Sequence, residues 1–393
     1  MSTLKNAQAL LLVSLRSVPQ RLGSCLVGVI GIAGVVGVMV SVIAMSGALQ
    51  RTVKDAGDPG RAIVLRSGAE SEGASTLPRD AVATVQLAPG IARSGEMPLV
   101  SPEVLSAVTL KENARDAVSE VTVRGIPPIA LKLRPEIQLV AGRLMNSGVP
   151  ELIVGRAALR QFAGLTIGSQ VPLRDANWTV VGIFTSNGDA HESELVADSE
   201  TLLASSQRNV FQSVTVRLES PQSLAVFKEA LTTNPSLSVD VLREDEYYQG
   251  QSRQMGRLLI LIVYLVGGIM SVGATFAALN TMYSMVSSRT TEIATVRAVG
   301  FGQLAIVISV LVEGVIYSLV GALLGTLAAW LLFGNASFTT FSSGTGHVVA
   351  QLDIDAAVLS FAATCALIFG LAGALFPAVR AARLPIAVGM RAH

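Results

Sequence analysis

Long apolar segments dominate the hydrophobic pattern of this chain. Four of them lie between Arg21 and Arg51, between Arg257 and Arg289, from about Leu304 to Phe333, and between Asp355 and Arg380. A helix needs about 20 apolar residues to cross the hydrocarbon core of a bilayer. The pattern therefore predicts four transmembrane helices, with the long segment 51–250 between the first and the second.

The first apolar segment can be interpreted in two ways. A cleaved signal peptide has an apolar stretch of only about 7–15 residues near its start, so an uncleaved anchor is favoured here. In the leader 1–21, apolar residues recur at helical spacing, namely Leu4, Leu11, Leu15 and Val18. This spacing favours an amphipathic helix in the membrane interface over a disordered tail.

The segment 51–250 alternates between two patterns. Runs rich in β-branched residues predict strands at Val121–Gly125, Glu151–Gly155, Trp178–Phe184 and Ser213–Leu218. Helical stretches, such as "RAALRQFA" and "SLAVFKEALTT", lie between them. The segment 58–75, rich in Gly, Ser and Ala, predicts an irregular start. The segment is therefore predicted to be an α+β domain inserted between transmembrane helices 1 and 2.

The helices that flank this domain are predicted to continue beyond the bilayer. The 31 residues from Leu258 to Ser288 would span about 46 Å as a helix, against a hydrocarbon core of about 30 Å. We therefore expect 22–50 and 251–286 each to contain a transmembrane helix and part of a stalk.

Composition supports a membrane protein and limits the partners. The chain is 51% hydrophobic and 15% charged, has a net charge of +1 and a mean hydropathy of +0.56. With this small net charge, the chain has no overall electrostatic field that would favour binding to nucleic acid. The two cysteines, Cys25 and Cys365, both lie in apolar segments and are interpreted as packing residues.

Lysine and arginine in the short flanking segments predict the orientation. The leader, the segment 287–303 and the tail 380–393 carry them, whereas the loop 334–355 carries none. The first three are therefore expected on the cytoplasmic side, with both termini, and the segment 51–250 and the loop 334–355 outside.

A catalytic constellation is not evident. The sequence has no G-x-x-x-x-G-K-[ST], H-E-x-x-H, C-x-x-C or G-x-S-x-G motif. One acidic cluster contains a histidine: Asp189, His191, Glu192, Glu194 and Asp198. The oxygen ligands of this cluster are of the type that binds a cation, but a solvated loop is favoured because EF-hand spacing is absent. The chain is predicted to hold no cofactor and no metal, and not to be an enzyme by itself.

The predicted membrane helices carry few polar residues, so they suit a transmitter of motion better than a conduit. Glu313 is the only acid within a span. A structural bond to a hydroxyl or an arginine is favoured over a functional carboxylate or a proton relay. Small residues form rows on three spans: Gly28, Gly31, Gly34 and Gly37; Gly314, Ser318, Gly321 and Gly325; and Ala366, Gly370 and Ala374. Such rows permit close packing within one chain or between two chains.

The segment "SSRTTEIATVRAVGFGQ", 287–303, is a charged island between two apolar segments. Thr290–Val299 suits a short helix with Ile293, Val296 and Val299 near one face. Arg289 and Glu292 can pair at i,i+3, and Gly300 is placed to end the helix as a left-handed cap.

The segment 288–325, which contains most of this island, closely resembles the signature of FtsX-like, MacB-like ABC transporter permeases. That signature has an E-I-x-x-x-R-A-x-G core, here Glu292, Ile293, Arg297, Ala298 and Gly300, and a later acid, here Glu313. The tail resembles the closing P-A-x-x-A-A-x-x-x-P pattern through Pro377, Ala378, Ala381, Ala382 and Pro385. The segment from Val140 to Phe184 is similar to the periplasmic domain of the family. One departure is Ser288, which stands where many members carry an acid before the arginine.

The resemblance implies a type VII, mechanotransmission permease in a bacterial inner membrane. The island would be a coupling helix, with Arg289, Glu292, Ile293, Val296, Arg297, Ala298 and Gly300 against a separate ATP-binding subunit, and Gly321 and Gly325 would pack the third span. ATP and Mg²⁺ would bind the partner ATPase, which is not fused to this chain. A homodimer is implied, as are a periplasmic adaptor and an outer-membrane channel.

Three functions of different class are consistent with these observations. Tripartite export, or extraction of a substrate from the periplasm or the outer leaflet, is favoured. The alternative is a non-transport regulator that activates a periplasmic enzyme such as a cell-wall hydrolase. A membrane-bound hydrolase built on the outer domain is disfavoured by the missing catalytic motifs.

Overall fold

The computed structural model describes residues 22–54, 56–113, 117–333, 337–342, 346–351, 355–383 and 385. The predicted leader helix and most of the tail after Arg383 lie outside these residues, as does the side chain of Cys25. The chain divides into two compact units. One, the membrane unit, contains the described residues within 1–46, 258–336 and 352–393, and the other, the α+β unit, contains those within 47–257 and 337–351.

The helices are of two kinds. Some are long and apolar, and the others are short and lie mostly in the α+β unit. The α-helices of the described residues are Leu22–Lys54 (α1), Arg79–Gln86 (α2), Ala130–Leu133 (α3), Arg156–Gln161 (α4), Ser199–Ser205 (α5), Ser223–Thr232 (α6), Glu244–Ser288 (α7), Thr290–Ala298 (α8), Gln303–Phe333 (α9) and Ala356–Arg383 (α10). The same described residues form 3₁₀ turns at Glu72–Ala74 and Ala190–Ser193.

The strands fall mostly between α1 and α7. Those in the described part of the chain are Arg61–Arg66 (β1), Leu77–Pro78 (β2), Arg93–Ser94 (β3), Met97–Pro98 (β4), Val100–Lys111 (β5), Val118–Ile126 (β6), Gln138–Gly142 (β7), Glu151–Gly155 (β8), Gln170–Leu173 (β9), Ala176–Thr185 (β10), Leu195–Asp198 (β11), Val210–Phe211 (β12), Ser213–Arg217 (β13), Val239–Arg243 (β14), Ser337–Ser342 (β15) and Gly346–Gln351 (β16).

Four helices are long and apolar enough to cross a membrane, at Leu26–Val53, Tyr264–Ser288, Gln303–Phe333 and Ala356–Arg383. They coincide with the four predicted spans, and the α+β unit lies between the first two in the chain. The predicted fold class is therefore confirmed. Helix α7 has 45 residues, or about 68 Å at 1.5 Å per residue, which is longer than a bilayer core requires. The predicted stalk stays a prediction.

Glycines of the membrane unit bring its helices into close contact. A Cβ at Gly314 of α9 would lie 2.5 Å from the Cβ of Ala374 on α10. A Cβ at Gly325 would overlap the carbonyl oxygen of Ala33 on α1, and Gly37 of α1 faces Gly325 in turn. The small-residue rows on these spans therefore pack helices within one chain, which is one of the two alternatives that the sequence left open.

The α+β unit is built on one mixed sheet. Its strand order is β14-β1-β13-β5-β6-β11-β8-β10-β7, with β9 paired to β10. The pairs β6–β11 and β8–β10 are parallel, and the others are antiparallel. A large apolar core packs against the sheet and contains the fully buried Trp178, Phe162 and Phe227. The strands and helices predicted within 121–233 are confirmed.

Two parts of the α+β unit differ from the prediction. The segment 58–75 was expected to be irregular, but β1 lies within it and pairs with both β13 and β14. The run "AIVL" of β1 is buried, and its β-branched and aliphatic side chains favour a strand more than the flanking glycines favour a loop. The predicted loop 334–355 contains the antiparallel hairpin of β15 and β16.

Candidate functional site

The charged island 287–303 folds as a short capped helix, α8, between two long helices. Gly300 has φ +104°, a conformation that residues with a Cβ rarely adopt. The N–H of Phe301 bonds the carbonyl of Val296, and the N–H of Gly300 bonds that of Arg297. These two bonds form a Schellman motif. The prediction that Gly300 ends the helix in a left-handed conformation is confirmed.

One side of α8 packs on its neighbours in the membrane unit. Ala294 is buried, and Ile293 contacts an apolar cluster formed by Val286, Ile306, Val310, Ala378 and Ala381. Val296 is half-buried, whereas Val299 is 74% exposed. Val299 is predicted to lie near the same helix face as Ile293 and Val296, but the helix ends at Ala298, before this residue, and the chain turns at Gly300.

Arg289 and Glu313 form an ion pair at the base of α8. The guanidinium Nη1 of Arg289 lies 3.1 Å from Oε2 of Glu313, and the two side chains are 11% and 4% exposed. The Tyr317 hydroxyl donates to Oε1 of Glu313 at 3.0 Å. These are the arginine and hydroxyl partners that the structural interpretation of Glu313 predicts. A carboxylate and a guanidinium paired in this way satisfy each other away from water.

The remaining signature residues of α8 divide between surface and interior. The Glu292 side chain is 56% exposed, and its Oε2 lies 4.0 Å from Nε of Arg289, so that pairing is weak. Arg297 is half-buried, and Ala298 is exposed. A groove of about 80 Å³ lies between α8 and the ends of α7 and α9, lined by residues that include Met285, Arg289 and Glu313. The helix thus combines a fixed inner side with an exposed outer surface.

Gly321 and Gly325 lie away from α8 on the same helix, α9. Both are buried, and a Cβ at Gly321 would lie 2.9 Å from the carbonyl oxygen of Val29. The structure therefore does not bring these two glycines together with the α8 residues. Their contacts are with α1.

The acidic cluster of the α+β unit is buried. Asp189, His191, Glu192, Glu194 and Asp198 are all at most 4% exposed. The expectation of a solvated loop is therefore wrong. The physical reason is that these side chains find polar partners in the interior. Arg124 pairs with Glu194 and Arg134 contacts His191, whereas Glu192 and Asp198 accept hydrogen bonds from backbone N–H and hydroxyl groups. Within the described residues, no group of His, Cys, Asp or Glu is arranged to hold a metal ion.

Arg124 on β6 is the centre of a buried cluster of charged side chains that includes Glu194. Its guanidinium lies 2.7 Å from Glu194, 3.0 Å from Glu72 and 2.6 Å from Glu103. Burial alone raises the pKa of the Glu103 carboxyl, but Arg134 and Arg124 hold it well below its usual value. Glu103 therefore stays ionised in the interior of the domain.

Four charged residues that lie together in the structure were not predicted from the sequence to form a cluster, namely Arg124, Arg134, Glu72 and Glu103. The signal that was available is an isolated charge within an apolar strand, as in "VTVRGI" and "SPEVLSAV". A charge in such a position is buried and must find a partner. Arg124 and its partner Glu194 are 70 residues apart, so the sequence alone does not name such partners.

Two family models match the chain. The MacB-like periplasmic core domain matches residues 26–234, which is more than half of the chain. The FtsX-like permease C-terminal model matches residues 264–386 and so includes α8 and the last two spans. Four membrane-spanning helices together with a periplasmic core domain indicate an inner-membrane protein.

Individual relatives are more distant. The macrolide export ATP-binding/permease protein MacB 1 of Aeromonas hydrophila is 23% identical over 325 residues, covering 78% of this chain and 48% of that protein. The macrolide export ATP-binding/permease protein MacB of Escherichia coli is 23% identical over 306 residues, covering 75% and 46%. The chain thus spans about half the length of the curated relatives it matches.

Two solved structures show limited similarity. The periplasmic region of MacB from Actinobacillus actinomycetemcomitans has a TM-score of 0.37 at 15% identity, covering 49% of this chain and 92% of that one. The extracellular domain of the noncanonic ABC-type transporter YknZ from Gram-positive bacteria has a TM-score of 0.36 at 16% identity, covering 46% and 99%.

Proposed function

This chain belongs to the family of MacB-like, FtsX-like ABC transporter permeases, and on that premise we propose that it transmits ATP-driven motion from an ATP-binding subunit to its periplasmic domain. The proposed orientation places both termini and α8 in the cytoplasm. ATP and Mg²⁺ bind the partner subunit, and this chain supplies the docking helix, the spans and the domain that moves.

The observation that carries the proposal is the fixed but exposed position of α8. Its inner side is held by Ala294, by the contacts of Ile293 and by the Arg289–Glu313 pair. Its outer side presents Glu292 and Ala298 to the surroundings, and Val299 directly after the helix is exposed as well. A force applied to the exposed side therefore reaches α7 and α9 directly, because the inner side is packed on both of them.

We further propose that the task is tripartite export, or extraction of a substrate from the periplasm or the outer leaflet. The names of the two curated relatives describe macrolide export, which supports export as a class. The spans support a transmitter, because Glu313 is the only Asp, Glu, Lys or Arg in α9 and it pairs with Arg289. A second permease copy, an adaptor and an outer-membrane channel complete the proposed assembly.

Co-purification with the tagged full-length chain from its native membrane tests both levels of the proposal. Recovery of an ATP-binding subunit, with ATP turnover that depends on this chain, supports the permease function. A periplasmic adaptor in the same complex supports export. Recovery of a cell-wall hydrolase in place of an adaptor would favour the regulator. A chain that binds no ATP-binding subunit would contradict the proposed function.

A further inference from the structure

Glu244, the first residue of α7, holds several elements of the α+β unit together. It is fully buried. Its Oε2 accepts a hydrogen bond from Nε of Arg61 at 2.5 Å and from the N–H of Asp58 at 3.0 Å. Its Oε1 lies 3.1 Å from Nη1 of Arg134. One carboxylate therefore binds the chain that leaves α1, the first residue of β1 and the residue directly after α3. We refer to Glu244, Arg61 and Arg134 as the helix joint.

The next turn of α7 also contacts the α+β unit through the same face of the helix. Tyr247 and Tyr248 follow Glu244 at i+3 and i+4, so the three side chains lie on one face of the helix. Tyr247 accepts a hydrogen bond from the N–H of Glu72 at 2.9 Å. The rings of Tyr248 and His191 are nearly perpendicular, at a centroid distance of 5.8 Å. The start of α7 is thus fixed in position and in rotation.

The backbone before β1 is also in close contact with the start of α7. A Cβ at Gly57 would lie 2.5 Å from Cα of Asp245 and 2.9 Å from the carbonyl oxygen of Glu244. Only glycine permits this approach. The chain leaving α1 and the beginning of α7 therefore touch through their backbones as well as through Glu244.

The helix joint connects to the buried cluster around Arg124. Nη2 of Arg134 lies 2.9 Å from Glu103 on β5, and Glu103 lies 2.6 Å from Arg124 on β6. Charges of alternating sign therefore run from the first residue of α7 into the middle of the sheet. Each of these side chains is at most 3% exposed.

Such a cluster resists sliding. An apolar contact has no preferred direction, so packed helices can shift while they stay buried. A buried ion pair loses its compensation as soon as its partners separate, and each charge is then left in a medium of low dielectric. Relative movement of Glu244 and Arg61 is therefore strongly unfavourable unless the whole joint moves as one body.

We propose that Glu244, with Arg61 and Arg134, is a positioning group that locks the start of α7 and the chain leaving α1 to the periplasmic domain, so that this point has no hinge. A displacement of the start of α7 then moves the domain with it. The role in transmission rests on the proposed function, whereas the lock is a property of the α+β unit and is tested by itself.

Spin labels on the full-length chain test the lock directly. Labels are placed at the exposed positions 253 on α7 and 229 on α6, in a background with Cys25→Ser and Cys365→Ser. The complex with its ATP-binding subunit is compared with and without ATP and vanadate. We expect a single narrow distribution of distances between the two labels, and we expect ATP not to shift it. In Glu244→Gln we expect a distribution about twofold wider, because Arg61 and Arg134 lose their shared counter-charge.

The matched control is Glu200→Gln, which removes an exposed ion pair with Arg79 in the same domain. It is expected to leave the distribution as narrow as in the parent chain, even if thermal stability falls. If Glu244→Gln does not fold, the width of the distance distribution is measured in Arg61→Lys instead. This variant keeps the positive charge but removes the Nε–H donor to Glu244, so the same widening is expected. An unchanged width in the variant, or an ATP-dependent shift in the parent, overturns the proposal. A chain that binds no ATP-binding subunit contradicts the proposed function instead, and the width comparison still decides the lock.

Discussion

Arg289, directly before α8, is paired at 3.1 Å with Glu313, which lies in the interior of α9. Both residues line the groove between α8 and α9. The Tyr317 hydroxyl donates a further hydrogen bond to the Glu313 carboxylate. Because Glu313 is buried, the position of α8 depends on a charge that the surrounding apolar residues cannot replace.

Glu313→Gln is expected to destabilise the membrane unit. The amide keeps the size of the side chain but removes the carboxylate that pairs with the Arg289 guanidinium, and a hydrogen bond to a charged group contributes about 1.5–3 kcal/mol. Thermal unfolding of the purified chain in detergent measures the loss. Glu292→Gln is the control and is expected to change stability by less than about 0.5 kcal/mol, because its carboxylate is exposed. Equal stability of the two variants would contradict a structural role for Glu313.

Charge reversal on α8 is expected to uncouple the complex without unfolding the chain. Glu292→Lys and Arg297→Glu change the surface that we propose to contact the ATP-binding subunit, while Ala294 and the Arg289–Glu313 pair keep the helix in place. ATP turnover of the reconstituted complex is compared with the melting temperature of the chain. Thr295→Ser, on an exposed position of the same helix, is the control. Full turnover in both reversed variants would remove the coupling role.

Much of the membrane unit could be predicted, because long charge-free segments identify spans by length alone. The cap at Gly300 could also be predicted, since the type of residue and its place after the helix are local features. The sequence does not specify that Glu313 pairs with Arg289. The two residues are 24 positions apart, and the fold decides which of several polar groups contacts the acid.

The buried charges of the α+β unit could not be predicted in the same way. The segment around His191 is rich in polar residues, and such segments are usually exposed. Its burial depends on Arg124 and Arg134, which come from β6 and from the end of α3. Likewise β1 was missed because its partners β13 and β14 are contributed by the far end of the domain. Both errors concern long-range pairing, which local patterns do not contain.

Gly325→Ala is expected to destabilise the packing of α9 on α1. A Cβ at this position overlaps the Ala33 carbonyl, and overpacking of a filled interior costs about 1–3 kcal/mol. Thermal unfolding in detergent measures the effect. Gly273→Ala on α7 is the matched control, because no heavy atom lies within 4 Å of the added Cβ. There the gain in helix propensity is expected to raise stability slightly. A neutral Gly325→Ala would show that the close approach is not required.

The periplasmic domain is expected to lose stability in acid. Burial alone raises the pKa of the Glu194 carboxyl, but Arg124 beside it holds that pKa at about 2. A carboxyl whose pKa is lower in the folded state contributes stability above its unfolded value, and this stability is lost as the pH falls towards the folded value. For Glu194 the contribution is on the order of 3 kcal/mol, and it should decline between about pH 5 and pH 2.

Denaturant unfolding of the full-length chain at several pH values measures this loss. Trp178 is fully buried in the domain, and Trp330→Phe removes the other tryptophan of the chain, so fluorescence then reports on the domain alone. In Glu194→Gln the free energy of unfolding should be lower at pH 7, and its decline towards pH 2 should be smaller than in the parent chain. Glu200→Gln, whose carboxylate is exposed, should keep the full decline. Parallel curves for the parent and Glu194→Gln would show that this carboxylate does not set the acid sensitivity of the domain.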